Sequence, residues 1–147
     1  MKTLEVKHIV PFAPYGLKGE NKSTKEKYYL HGIDVVQKMV YVYDGGVIPG
    51  WLNINLFRPY LYPLSWLTKE IEHNGGKFVP MEKIDAWFLK VFKIIKKSGI
   101  QNTKAGTQGL FAQPYEVIEK LFEWHFDVFG LIEQGLAIDK STLNVKD

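Results

Sequence analysis

Glu123-Trp124-His125-Phe126-Asp127 sets an imidazole between two carboxylates, a combination able to donate and accept protons. Helical geometry argues against it as a catalytic unit. Residues two apart on a helix point to nearly opposite sides, so Glu123 and Asp127 can share a face that excludes His125. His125 is therefore expected at the edge of an apolar stripe or on a loop carbonyl, and a hydrolase centred on it is the weakest reading. The other imidazoles, His8, His31 and His73, have no His-x-x-x-His spacing, and no nucleophile elbow, phosphate loop or dinucleotide fingerprint occurs. Gly45-Gly46 lacks the Lys-Ser/Thr that would follow in a phosphate cradle. The expectation is no catalytic set, no metal and no cofactor.

Two groups of residues could instead carry binding. Lys90, Lys93, Lys97 and Lys104 follow one another with no acidic residue between Ala86 and Lys104, a stripe suited to phosphate contacts. Glu116, Glu119, Glu123 and Asp127 on a second helix would also neutralise such a stripe across an antiparallel pair. The second group is aromatic. Tyr29, His31, Tyr41 and Tyr43 can share one face of paired strands, with Tyr28, Leu30, Val40 and Val42 on the other. One face must be core. If the tyrosine face stays in water it forms a docking platform with Arg58 and Tyr60 as a rim; if the helices bury their stripes on it, it is ordinary packing. Covering is the expectation.

These residues need elements to position them. The 147-residue chain is 46% hydrophobic, enough for one domain with a sizeable core. A net charge of +3 is too weak a field to name nucleic acid or an anionic membrane as partner. With no cysteine there is no disulfide, thiolate nucleophile or cysteine-held metal. The first residues show no signal-peptide pattern and no apolar run approaches a bilayer span, so a soluble cytoplasmic protein is expected.

Residues 1–62 read as mainly β. The stretch 27–43 is rich in β-branched and aromatic residues and reads as two paired strands with bends at Gly32 and at 36–38. A short extended piece around 17–20 precedes a polar loop, the alternation at 4–10 reads as a weak strand or lead-in, and residues 51–62 alternate as a half-buried strand. Pro59 and Pro63 argue against a central strand from Arg58 to Leu64. Residues 63–80 read as a connector: a helix over 66–73 capped by Ser65 and stopped at Asn74-Gly75, then a strand at 77–79. Residues 81–147 read as mainly helical, with amphipathic helices over 81–97 and from Pro114 onward, the second carrying apolar positions through Val128 and Ile132. The last residues read as a segment docked by Leu136, Ile138 and Leu143. The expected fold is α+β: an N-terminal antiparallel barrel or curled sheet packed by a C-terminal helical hairpin.

Three blocks, HIVPFAPYGLKG (8–19), FRPYLYPLSWLTKEIEHNGGKFVPMEKI (57–84) and LFEWHFDVFGLIEQGLAIDKSTLN (121–144), resemble a group of small proteins of Bacteroidetes phages and prophages. The resemblance carries no activity or catalytic residue. It implies a mobile-element accessory protein in the cytoplasm of a bacterial host. The leading expectation is a non-enzymatic accessory protein that binds a protein partner, a host factor being one candidate. The alternative is a nucleic-acid-binding module using the barrel aromatics and the Lys90 to Lys104 stripe.

Overall fold

The computed structural model describes residues 3–44, 50–84 and 115–143. The chain begins with one helical turn, α1 (Val6–Ile9), not an extended lead-in. His8 causes this: its Nδ1 accepts the Glu5 N–H at 3.1 Å, a side-chain cap that fastens the first turn. An accepting Nδ1 requires a neutral ring, and burial pushes the His8 pKa below its ordinary 6.5. A 3-10 turn follows over Val10–Tyr15, and Gly16, at φ 63, reverses the chain into the sheet.

The main sheet takes β1 (Lys18–Asn21), β2 (Lys27–Asp34), β3 (Met39–Tyr43), β4 (Gly50–Asn53), β5 (Phe57–Leu61) and a two-residue strand near the C-terminus, β8 (Ile138–Asp139). Its order is β4-β3-β2-β1-β5-β8, antiparallel throughout except for the parallel β5–β8 pair. The sheet is open. Closure into the expected barrel needs edge strands long enough to meet, and here the edges are four and two residues long. Asn53 breaks the expected 51–62 strand in two, because its Oδ1 accepts the Asn55 N–H at 2.9 Å and caps a 3-10 turn over Ile54–Leu56.

Pro59 lies inside β5, opposite Gly19 of β1. The Lys22 N–H to Leu56 carbonyl bond at 2.7 Å sets the alternation of the ladder and makes Gly19–Pro59 a non-hydrogen-bonded pair. The donor that proline lacks would have faced away from β1, so the expected exclusion from a central strand does not apply. Gly19 is the other half of this pairing: a Cβ there would stand 2.6 Å from the Arg58 carbonyl and 2.6 Å from the Phe57 ring.

After Pro63 a 3-10 turn (Leu64–Thr68) replaces the expected helix over 66–73, and a hairpin follows, β6 (Ile71–His73) with β7 (Gly76–Phe78). Asn74 and Gly75 have φ 51 and 79, the doubly left-handed turn whose twist matches paired strands. The residues expected to stop a helix therefore join two strands. The first expected long helix is interrupted at its start: the turn α2 (Pro80–Lys83) ends at Ile84, whose backbone is extended at φ −94 and ψ 142. Residues 85–97 lie outside the described residues, so the hairpin is not demonstrated.

The second helix, α3 (Tyr115–Glu123), ends earlier than its apolar pattern suggests. The His125 N–H reaches the Phe122 carbonyl and the Phe126 N–H the Leu121 carbonyl, a closure that puts His125 at φ 62, where glycine is usual. Leu121 and Phe126, the two ends of that closure, are fully buried. α3 covers the N-terminal turn, with Phe12 and Phe122 edge to face at 5.0 Å. Leu30, Val40, Val42, Phe57 and Leu61 join that one core. The arrangement is mixed α+β, and no helix among the described residues is long and apolar enough to cross a membrane.

Gly19→Ala is expected to lower unfolding stability by about 1–3 kcal/mol, since neither backbone nor a buried ring can yield, whereas Gly32→Ala, whose Cβ would only touch Tyr41 at 3.6 Å, is expected to cost less than about 1 kcal/mol. Urea unfolding of the two variants checks the ordering.

Candidate functional site

The two faces of β2 and β3 divide as the alternation requires, aliphatic inward and aromatic outward. Leu30, Val40 and Val42 are buried. Over β2–β4 no described element covers the tyrosine face, against expectation: α3 packs on the aliphatic side, and Tyr29 and Trp51 remain 43% and 53% exposed. Register lays the face out in two rows. Lys18 stands opposite Tyr29 and Tyr29 opposite Tyr43, while Tyr41 stands opposite Trp51. A bulge between Leu30 and Gly32 makes His31 an extra residue, which keeps its ring outside.

The rings support one another. Tyr41 and Trp51 stack at 4.9 Å and 26°, His31 tilts against Tyr43 at 5.3 Å, and the Lys18 ammonium lies 5.3 Å from the Tyr29 ring centre. Tyr41 and Tyr43 are half-buried. The Tyr28 ring, on the other face, hydrogen-bonds Glu26, which together with burial pushes its pKa up to about 12. What results is a laterally braced, solvent-facing aromatic surface. It can take flat or apolar groups and has no nucleophile with an adjacent base.

Arg58 stands opposite Glu20, itself opposite Lys27, so Arg58 and Tyr60 lie on the same face of the sheet, but neither is open to solvent as Tyr29 is. Tyr60 is buried and donates its hydroxyl to Glu20 Oε1 at 3.0 Å; burial, then that bond, raises its pKa far above the tyrosine range. Arg58 is half-buried and lines a cavity near the N-terminus. Lys90, Lys93, Lys97 and Lys104 lie outside the described residues. Of the proposed binding residues, Tyr29, Tyr41 and Tyr43 come together. Trp51 and Lys18 were not singled out, although the alternation of Trp51 with Leu52 already placed the tryptophan on an outward face.

The second polar grouping is interior. His73, His125, Asp127 and Lys140 are buried around Tyr62. Tyr62 exchanges backbone bonds with the segment after α3, its N–H reaching the His125 carbonyl at 2.8 Å and its carbonyl accepting the Asp127 N–H at 2.9 Å. The His73 and His125 rings meet edge to face at 5.1 Å, and the Lys140 ammonium lies 5.0 Å from the Tyr62 ring centre. His125 donates from Nε2 to the Tyr15 carbonyl at 2.7 Å, because a carbonyl can only accept. The loop-carbonyl role expected for this histidine is the one it has. Asp127 accepts from the N–H groups of Leu131 and Ile132 at 2.7 and 2.9 Å. Burial, the larger effect, still pushes its carboxyl above 3.8. No group of three metal-ligating side chains occurs among the described residues.

Comparison with known protein families, with curated proteins and with solved structures gives no match.

His125→Ala is expected to lower stability by about 1–3 kcal/mol, and His125→Gly by about 1 kcal/mol less than that, since glycine relieves the left-handed backbone although both lose the Tyr15 bond. Equilibrium unfolding checks the reversal of the usual helix preference for alanine. A carboxyl with a raised folded pKa takes up a proton on folding, so its contribution is fully present below 3.8 and is lost as pH rises through the folded value. The stability of the wild type relative to Asp127→Asn is therefore expected to fall as pH rises above 3.8; urea titrations at a series of pH values check the sign.

Proposed function

We propose that this is a non-enzymatic accessory protein of a phage or prophage that binds a protein partner through the outer face of β2, β3 and β4. One observation carries the reading: Tyr29, His31 and Trp51 are exposed, with Tyr41 and Tyr43 half-buried between them, on strands whose opposite side already supplies the core. Folding does not require aromatic rings there. Tyrosine and tryptophan are the residues that dominate protein interfaces, giving large contact area for few rotatable bonds. Lys18 and Lys27 flank the face along β1 and β2, so the fitting partner surface is apolar at its centre with carboxylates at that side. The outer edge of β4, next to Trp51, pairs with no strand among the described residues and adds backbone donors and acceptors that an extended partner segment can meet.

The bracing of the rings favours this over single-strand stacking. Tyr41 and Trp51 cover one another's faces, and His31 tilts onto Tyr43, so fewer ring faces are left free for bases.

The test compares wild type with Trp51→Ala combined with Tyr29→Ala as bait in bacterial host lysate, with Val36→Ser as an exposed control away from the face. The expected outcome is a protein retained by wild type and control and lost by about tenfold or more in the aromatic variant, with unchanged unfolding stability. Salt-dependent binding of short DNA or RNA lost in the same variant would replace this reading with the nucleic-acid one.

A further inference from the structure

Two cavities adjoin at the N-terminal segment, one beside the turn from β2 to β3 and the other beside the end of β1 and the start of β5. The larger, about 440 Å³, is lined by the Val35, Gln37 and Lys38 turn, by Asn53 at the end of β4 and Asn55 after it, and by the N-terminal residues from Thr3 to Lys7. The smaller, about 110 Å³, shares Thr3, Leu4 and Asn55 with it and is lined also by Lys22 and Arg58. Leu4, buried, forms the apolar wall common to both.

The charge in the smaller cavity is uncompensated among the described residues. Glu20 sits directly across the ladder from Arg58, the position from which it would neutralise the guanidinium. Its carboxylate goes elsewhere, to the Tyr60 hydroxyl at 3.0 Å and to Lys25 at 3.9 Å. Among the described residues neither Arg58 nor Lys22 makes a side-chain ion pair or hydrogen bond. A half-buried arginine without a carboxylate, beside a lysine, is an arrangement that an anion stabilises. The guanidinium fork matches two oxygens of one phosphate and the ammonium supplies the second charge for a dianion.

In the larger cavity the lining changes from charge to neutral hydrogen-bonding groups. Lys7 pairs with Glu5 at 3.2 Å, which leaves Lys38 as its other cation, with the amides of Gln37, Asn53 and Asn55 around it. The turn is held open by its own bonds, since Asp34 Oδ1 accepts the Gln37 N–H at 2.9 Å and Lys38 adopts φ 57. Its volume lies in the range that holds a small organic ligand.

We propose that the paired cavity binds a small phosphate monoester, its phosphate between Lys22 and Arg58 and its polar body against Gln37, Asn53 and Asn55. The proposal does not depend on the aromatic face binding a protein.

Isothermal titration of the full chain at fixed ionic strength tests it with three probes: inorganic phosphate, ribose 5-phosphate and adenosine monophosphate. Expected are saturable binding of inorganic phosphate, binding at least about tenfold tighter for one or both esters, and a loss of about tenfold or more in Arg58→Gln and in Lys22→Gln. Lys22 is exposed, so its variant retains the fold if Arg58→Gln does not. Lys77→Gln, at an exposed cation outside both cavities, is expected to change nothing. Absence of saturable phosphate binding, no gain for either ester, or an equal loss in Lys77→Gln would each overturn the proposal.

Discussion

The backbone exchange between Tyr62 and the residues just after α3 is the contact on which the rest of the molecule depends. It joins the residue after β5 to the chain as it leaves the helix, and Tyr62 then fastens three further segments. Its ring stacks on Trp66, tilts against Phe126 and lies beneath the Lys140 ammonium, while its hydroxyl donates to the Glu72 carbonyl. A buried lysine is costly in isolation, and the face of an aromatic ring is one of the few apolar surfaces that attracts it. The junction thus holds the 3-10 turn, the β6 hairpin and the C-terminal strand around one side chain.

That contact dictates where α3 stops. For residues 125–127 to run beside Tyr62, the helix must reverse at Glu123, and only a left-handed residue lets it do so. Histidine pays that conformational cost because its ring bonds the Tyr15 carbonyl and so ties the reversal to the N-terminal turn. Asp127 then organises the next reversal by taking two backbone donors in a dry site. Each step places the helix and its following turns on the aliphatic side of the sheet. The aromatic side is left open as a consequence of that choice.

Much of the β architecture was legible because its signals are local. The 27–43 hairpin, the bend at Gly32 and the extended piece before Asn21 follow from β-branched content and turn chemistry. Asn74-Gly75 is legible as a left-handed break, but one turn of apolar spacing before it does not distinguish a three-residue strand from a helix end. The length of α3 was overestimated for a related reason: Val128 and Ile132 keep helical spacing in a segment whose turns are set by Asp127, and periodicity does not register a cap made by histidine. Pro59 was judged on its missing donor alone, while the cost depends on which side of the strand that donor would face. Which face of the hairpin the helices cover is a tertiary choice, and of the binding face only the alternation that groups Tyr29, Tyr41 and Tyr43 is written in the sequence.

An outward aromatic face has a bland explanation, namely that scattered exposed rings are normal on protein surfaces. The register argues otherwise. The rings are grouped on adjacent strands, and their mutual stacking restricts them to one geometry while leaving apolar area in water. Nothing in the core gains from this, because Leu30, Val40 and Val42 are buried whatever stands behind them. Trp51 and Asn53 occupy the same face of β4 two residues apart, a separation of about 7 Å, so the edge of the aromatic face and the wall of the larger cavity are carried by one short strand. A group seated against Asn53 would bear directly on the strand that presents Trp51, which makes β4 the element where occupancy of the cavity and contact at the aromatic face meet.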